Sequence, residues 1–428
     1  MTGVSHDSIP DPRYMSPTPD PVILTPASDV EVAAALRRAA DTRQSVLIRG
    51  AGTKLQWGRP AGRVDLVLDM RRLNRILAHD HGDLTATVEA GATLADVNAA
   101  LADHGQWLPL DPPHGAAATI GGILATNDSG PLRHRYGTPR DLLIGIQLAT
   151  TDGVLAKAGG RVVKNVAGYD LGKLVTGSFG SLAAIVTATF KLSPLPQSSK
   201  TLQLDVADAQ SLATIVRAVM ASQLEPIAFD IGSTRTHHAG STPHSSSASS
   251  AERSAEPRTP FSAVLCFASL PAVVDAQIER ATAALRPLAA ALRVADGDDE
   301  LTVWRGHTNG IWREGDDAIV RASWLPANIA EVVTTLASVA PSGVEFIGRA
   351  AVGAGLLRVC GSVDAQVHAI ESLRDSSLVG NVVIVRAARA LKERVDAWGS
   401  AGDRQPVLDA LKRTLDPHGV LNAGRGPI

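Results

Sequence analysis

Hydrophobic and polar positions change rhythm twice along the chain. From Thr25 to about Pro196, short apolar runs alternate with segments of helical spacing. Ser28-Asp29-Val30-Glu31 has the form of a capping box and predicts a helix through Ala33, Leu36 and Ala40. Strands are expected over 45–48, 64–68, 84–88, 144–150 and 185–192, where β-branched and apolar residues cluster between turn signals. Thr93-Leu94-Ala95-Asp96 predicts a second helix start, with Gly105 as its end. After Pro194-Leu195-Pro196 a strand-like 201–204 leads to a helix over 209–223. The stretch 232–260 then turns polar around Ser245-Ser246-Ser247-Ala248-Ser249-Ser250, and such composition predicts a disordered loop. A strand resumes over 261–267, and helices and strands alternate to about Arg386. The tail, 387–428, holds one helix candidate over 405–414.

This rhythm predicts an α+β protein with four segments: an extended or disordered arm over 1–24, a first domain over 25–197, a second α+β domain over 198–386, and a C-terminal segment. The length of 428 residues agrees, being too long for one ordinary core. Lys and Arg total 41 against 43 Asp and Glu, so no basic excess points to nucleic acid. The proline-bearing N-terminus lacks the basic start and apolar run of a secretory signal. No apolar run reaches the roughly 18 residues of a membrane-spanning helix. The two cysteines, Cys266 and Cys360, are read as buried thiols in a reducing cytoplasm. They are too few for a cluster held by four thiolates.

Three glycine-rich regions carry the candidate chemistry. In Ile48-Arg49-Gly50-Ala51-Gly52-Thr53-Lys54 the glycines let backbone N–H groups approach an anion such as a pyrophosphate. Neither a Walker loop nor a Rossmann fingerprint fits the spacing. The second region runs from Leu108 through Pro113-His114-Gly115-Ala116-Ala117-Ala118-Thr119 and Gly121-Gly122 to Thr126-Asn127-Asp128-Ser129. Its small residues tolerate a close, flat ligand; the alternative is a long irregular surface loop, but long loops in compact domains are usually functional or disordered, and the scattered apolar residues argue against disorder. The third is Gly160-Arg-Val-Val-Lys-Asn-Val-Ala-Gly-Tyr-Asp170, followed by Phe179-Gly180-Ser181-Leu182-Ala183-Ala184-Ile185.

In order and spacing these regions resemble the FAD-binding domain of the vanillyl-alcohol oxidase / p-cresol methylhydroxylase superfamily. The 160–170 motif and the tail Asp416-Pro-x-Gly-x-x-Asn422-x-Gly424-Arg425 resemble in particular the FAD-binding subunit of glycolate oxidase. The resemblance implies a two-subdomain FAD-binding domain with a cap. It implies pyrophosphate contacts from 48–54, further FAD contacts from 113–119, 126–129 and 179–185, and approach of Asn422 to the flavin edge. Ala51 stands where the family often has Gly, which requires a negative φ there. Thr53 and Lys54 stand where some members carry a His that links the flavin covalently, so the resemblance implies noncovalent FAD.

The resemblance further implies a small 2-hydroxy acid as substrate, with a catalytic flavoprotein paralogue and an iron–sulfur subunit as partners. It places the protein in the cytoplasm or, through partners, at the inner face of the membrane. No catalytic residue is assigned and no metal is expected. His237-His238 lies in the Ser-rich stretch, and His79-x-His81 beside a turn is read as solvated. Arg305 or Arg313, near Trp304, His307 and Trp312, could grip a carboxylate; Trp packing beside exposed Arg is the plainer reading, and it extends to Glu345 and Arg349. A stand-alone flavin dehydrogenase of unknown substrate and a non-catalytic flavin-containing scaffold remain alternatives.

Overall fold

The computed structural model describes residues 20–160, 169–233, 260–422 and 424–428. Most of the 160–170 motif, the core of the predicted 232–260 loop with its His pair, and most of the predicted N-terminal arm lie outside them. The chain divides into two compact units, Met1–Leu195 with Val383–Ile428, and Pro196–Val382.

The first unit is built on two main sheets, beside a two-stranded pairing of Gln106–Trp107 with Ser193–Pro194. Three parallel strands run in the order Val22–Leu24, Leu66–Asp69, Val46–Arg49. Five antiparallel strands run in the order Ile76–Asp80, Thr85–Glu89, Ala184–Lys191, Leu143–Ala149, Leu155–Gly159. The helix Asp29–Asp41 starts where Ser28 Oγ accepts the Glu31 N–H at 3.2 Å. Glu31 reaches back to the Ala27 N–H at 2.8 Å, one residue before the cap. Its buried Val32, Leu36 and Ala39 join Leu66 and Leu68 of the parallel sheet and Ala184 and Val186 of the larger sheet in one core. Thr93 caps the helix Leu94–Ala102 in the same way. That helix shares a second core with Ile120, Leu124, Leu182 and Phe190.

The C-terminal segment returns to the first sheet. The Val46 N–H donates to Val420 O, and the Asn422 N–H donates to Val46 O, both at 2.8 Å. One carboxylate shapes this return. Fully buried Asp416 accepts the N–H groups of Val420 at 3.0 Å and Leu421 at 2.8 Å, and Lys412 Nζ at 2.6 Å. Asp416→Ala should cost about 3–5 kcal/mol, because it leaves two buried donors without a partner and Lys412 with carbonyl partners but no counter-charge. Asp416→Asn, which keeps an acceptor, should cost less. Urea melts of the two variants measure the difference.

The second unit carries a sheet of eight strands in the order Ala291–Ala295, Ser198–Val206, Phe261–Ser269, Ala228–Ser233, Val344–Arg349, Ala354–Val359, Ala318–Trp324, Val379–Arg386. The alternation of side chains separates its faces. Leu202, Leu204, Phe229, Ile231, Ala263 and Leu265 are fully buried on one of them. Thr201, Asp230, Cys266 and Arg349 are buried on the other, which is polar and is covered by the helix Gly297–Asn309. That helix is fastened by Trp304 Nε1, which donates to Thr201 Oγ1 at 2.8 Å, and by Glu300, which accepts from Ser199 and Thr201 at 2.5 and 2.6 Å. Cys266 is buried, Cys360 is half-buried, and neither forms a disulfide among the described residues. Among the described residues no helix is long and apolar enough to cross a membrane.

Candidate functional site

Four stretches of the first unit meet around one groove. The loop after Val46–Arg49 supplies Ile48 to Leu55, the helix Ile120–Thr126 and its cap supply Thr119, Gly122, Ala125 and Thr126, the start of the strand Ala184–Lys191 supplies Phe179, Gly180, Ala183 and Ile185, and the tail supplies Asn422 and Arg425. Asn422 ties two walls together. Its Oδ1 accepts the Ile48 N–H at 3.0 Å, and its Nδ2 donates to Phe179 O.

Glycine is required here by contact as well as by torsion. A Cβ on Gly50 would meet Thr119 Oγ1 at 2.0 Å, and one on Gly180 would meet Asn422 Nδ2 at 2.9 Å. Gly52 has φ +78°, while Ala51 keeps a negative φ, so alanine is accommodated there. Of seven described non-glycine residues with positive φ, four are His114, Asn127, Phe179 and Asn422. Left-handed backbone is thus concentrated in the regions that the glycine spacing singles out, as at sites where a ligand must be met closely.

The groove is electropositive. Arg49 is neutralised: its Nη2 lies 2.7 Å from Asp69 Oδ2, and both groups are buried. Burial raises the Asp69 pKa, but hydrogen bonds from Arg71 and Arg49 outweigh it and hold the carboxyl below its usual range. Lys54 is less well compensated. Its buried Nζ makes no hydrogen bond, lies 3.5 Å from Asp128 Oδ2, and sits 5.7 Å from the Trp57 ring centre. Arg425 donates to the carbonyls of Leu55 and Trp57, and its Nε has no partner. Burial pulls its pKa down to about 10. Lys392 donates to Gln56 O, and burial together with the charge of Arg425 lowers its pKa to about 8. Buried cations held by carbonyls lack a counter-charge, and an anion in the groove would supply one. Tight loop backbone, left-handed turns and incompletely compensated cations together fit the pyrophosphate of a dinucleotide.

Most of the residues expected at the site are placed around this groove, but not all of them line it. Ile48 to Lys54, Thr119, Thr126, Phe179, Gly180, Ala183, Ile185 and Asn422 do. Pro113 to Ala118 form the turn leading into Thr119, with the Ala118 N–H donating to His114 O at 3.1 Å. Asn127 ends the short helix in a left-handed conformation, Asp128 pairs with Lys54, and Ser129 follows them. Ser181, Leu182 and Ala184 are fully buried behind the groove. No local pattern marks Met70 and Ala90, which line it, or Lys392 beside Gln56.

The second unit holds a separate pocket of about 420 Å³ on the face under Gly297–Asn309, walled in part by Val264, Ile311, Phe346 and Ile347. Gln203, Ser233, Ser262, His307, Arg313 and Glu345 line it. Behind His307 lies Asp230, wholly buried, with Oδ2 at 3.2 Å from His307 Nε2 and Oδ1 at 3.8 Å from Arg349 Nε. A carboxylate held against Nε2 favours the proton on that nitrogen and leaves Nδ1 as the basic one. Arg313 directs its fork at Glu345, at 2.6 and 2.8 Å. That hydrogen bonding raises the Arg313 pKa and leaves the guanidinium committed to a carboxylate of the protein itself. Arg305 is exposed. Of the arginines considered from the sequence, Arg349 is the buried one beside an imidazole.

Comparison with known proteins agrees with the groove. Residues 20–159 match the family model described as an FAD binding domain. The chain is 34% identical over 193 residues to glycolate oxidase subunit GlcE of Escherichia coli, a match covering 45% of this chain and 53% of that protein. It spans about half the length of the glycolate oxidase subunits it matches. D-2-hydroxyglutarate dehydrogenase of Xanthomonas citri is 30% identical over 95% of this chain and 89% of its own length. The solved structure of p-cresol methylhydroxylase superposes with a TM-score of 0.71 at 15% identity, covering 94% of this chain and 88% of that one, and so shares the fold. The chain therefore belongs to the family of FAD-linked oxidoreductases that includes D-2-hydroxyglutarate dehydrogenase, with an FAD binding domain in its first unit.

Proposed function

We propose that the chain is the FAD-binding redox subunit of an assembly that oxidises glycolate or a related 2-hydroxy acid. The observation that carries this reading is the glycine-walled groove with its partly compensated Lys54 and its carbonyl-held Arg425, in a chain similar to a glycolate oxidase subunit. Backbone N–H groups of 49–54 would hold the pyrophosphate with Lys54 and Arg425, and Asn422 would fix the wall beside the flavin. FAD, when bound, supplies hydride acceptance and onward electron transfer. A 2-hydroxy acid needs a cation for its carboxylate and a base for its hydroxyl proton. In the second unit the pocket-lining His307, oriented by Asp230, would supply the base, and buried Arg349, on the other oxygen of Asp230, would supply the cation. Cys266 and Cys360 cannot hold a cluster, since four thiolates are needed, so an iron–sulfur subunit and a flavoprotein paralogue would pass the electrons on.

The FAD should be noncovalent, because Thr53 and Lys54 offer no ring nitrogen or thiolate for a flavin link. Acid precipitation should leave a colourless pellet and release all the yellow cofactor as FAD. Flavin retained on the denatured chain would refute this.

The assembly is tested by turnover. The purified FAD-replete chain, assayed with glycolate, D-lactate and D-2-hydroxyglutarate and a dye acceptor, should be slow alone and fast after co-expression with a flavoprotein paralogue and a cysteine-rich subunit. Fast turnover by the chain alone would support the second reading, a self-sufficient dehydrogenase. That reading is favoured by the nearly full-length match to D-2-hydroxyglutarate dehydrogenase.

A further inference from the structure

In the first unit three histidines converge at a place that the flavin groove does not use. His79 ends the strand Ile76–Asp80, His81 stands two residues on, and His104 lies in the turn that closes the helix Leu94–Ala102. The His81 and His104 rings stack with centres 3.6 Å apart and planes 24° from parallel. The His79 ring meets them edge-on at 4.2 and 5.2 Å. One ring nitrogen from each residue lies within 4.8 Å of the other two.

The backbone explains the convergence. Strand periodicity puts residues i and i+2 on one side, which brings His79 and His81 together. Hydrogen bonds from the N–H groups of His104 to Leu101 O, at 3.1 Å, and Gly105 to Ala102 O, at 2.9 Å, fix the turn that presents His104. Apolar packing does not require the arrangement, since His81 and His104 are exposed and His79 is only partly buried.

Buried Gln106 orients the first ligand. Its Nε2 donates to His81 O at 2.9 Å, which leaves its Oε1, 2.9 Å from His79 Nε2, as an acceptor. A carboxamide oxygen can only accept, so His79 carries its proton on Nε2 and turns the lone pair of Nδ1 outward. An outer hydrogen bond that fixes the tautomer is the usual support of a metal-ligating imidazole.

We propose that His79, His81 and His104 form a binding site for a divalent transition ion of the zinc class. Imidazole suits such ions, and three neutral rings leave a fourth position for water or an external anion. Zn–N bonds of about 2.0–2.1 Å in a tetrahedron put nitrogens about 3.3 Å apart, so modest rotation of the exposed rings closes the site. The ion would clamp the turn after Ile76–Asp80 to the end of Leu94–Ala102.

The test uses tag-free, FAD-replete protein. Titration with zinc sulfate in a calorimeter should show one equivalent bound at micromolar or tighter affinity. Cobalt(II) should give the intense visible bands of tetrahedral rather than octahedral coordination, read against the metal-free flavin spectrum. His79→Ala, His81→Ala or His104→Ala should each weaken zinc at least about 100-fold, and in the exposed pair, His81→Ala and His104→Ala, flavin content and the melting curve without metal should stay unchanged. His368→Ala, on the exposed side of the helix Val363–Asp375, should bind as the parent does. Absence of a stoichiometric site in the parent, or undiminished binding in the triple alanine variant, would overturn the proposal. Neither outcome depends on substrate turnover.

Discussion

Gly52→Val should purify as a folded but colourless protein. Gly52 has φ +78°, a region that a β-branched side chain avoids, yet its Cβ would meet only Leu55 Cδ1, at 3.3 Å. The local backbone must therefore turn away while the two cores of the unit keep their packing. Left-handed backbone costs an L-residue roughly 1–2 kcal/mol, and each lost hydrogen bond to a charged group costs about 1.5–3 kcal/mol. A combined loss of about 3–5 kcal/mol corresponds to a 100-fold or greater drop in FAD affinity. The ratio of flavin to protein absorbance, read beside an unchanged far-ultraviolet circular dichroism spectrum, measures it. Parental flavin occupancy in the folded variant would place the pyrophosphate elsewhere. Gly50→Val is the harsher change, since its Cβ alone would come within 2.0 Å of Thr119 Oγ1. It should lower stability as well as flavin content.

His307→Gln should retain FAD and lose turnover. Glutamine places an N–H donor near the position of Nε2, so buried Asp230 keeps a partner, but it has no basic nitrogen to replace Nδ1. General-base catalysis contributes about 10²–10⁴-fold, and kcat in the active assembly should fall by that amount. A KM unchanged beside the fallen kcat would locate the defect in proton transfer. Arg349→Lys, by contrast, should raise KM for the acid, since a point charge replaces a fork that can make two hydrogen bonds. Undiminished kcat in His307→Gln would remove His307 from the chemistry.

Local chemistry was the legible part of this sequence. Ser28 and Thr93 start helices because capping is decided within four residues. Edges are less readable. The strand expected from Val64 begins at Leu66, since the Asp65 carboxylate is engaged with the Ser45 N–H at 2.9 Å. The strand expected from Leu84 begins at Thr85, because Leu84 adopts φ +53°. The edge strand Ile76–Asp80, three apolar residues followed by His and Asp, shows no alternation to follow. Within the groove, glycine spacing pointed to the loops, while Met70, Ala90 and Lys392 arrive through tertiary folding from segments that look ordinary. The Asp230–His307 pair joins positions 77 residues apart, and His104 reaches His79 from the far end of a helix. No local pattern connects such positions, so the sequence showed fragments of both clusters and neither cluster whole.

The tie between Ile48 and Asn422 spans 374 positions, with the whole of Pro196–Val382 between them. A ribosome therefore exposes the glycine loop long before it makes the residue that locks it, and closing so long a span is entropically slow. Until Asn422 and Arg425 emerge, the nascent chain carries half a clasp. If FAD needs that clasp, cofactor loading would act as a late quality check on biogenesis: a chain stalled in the second unit would stay colourless, however well its first 195 residues had folded.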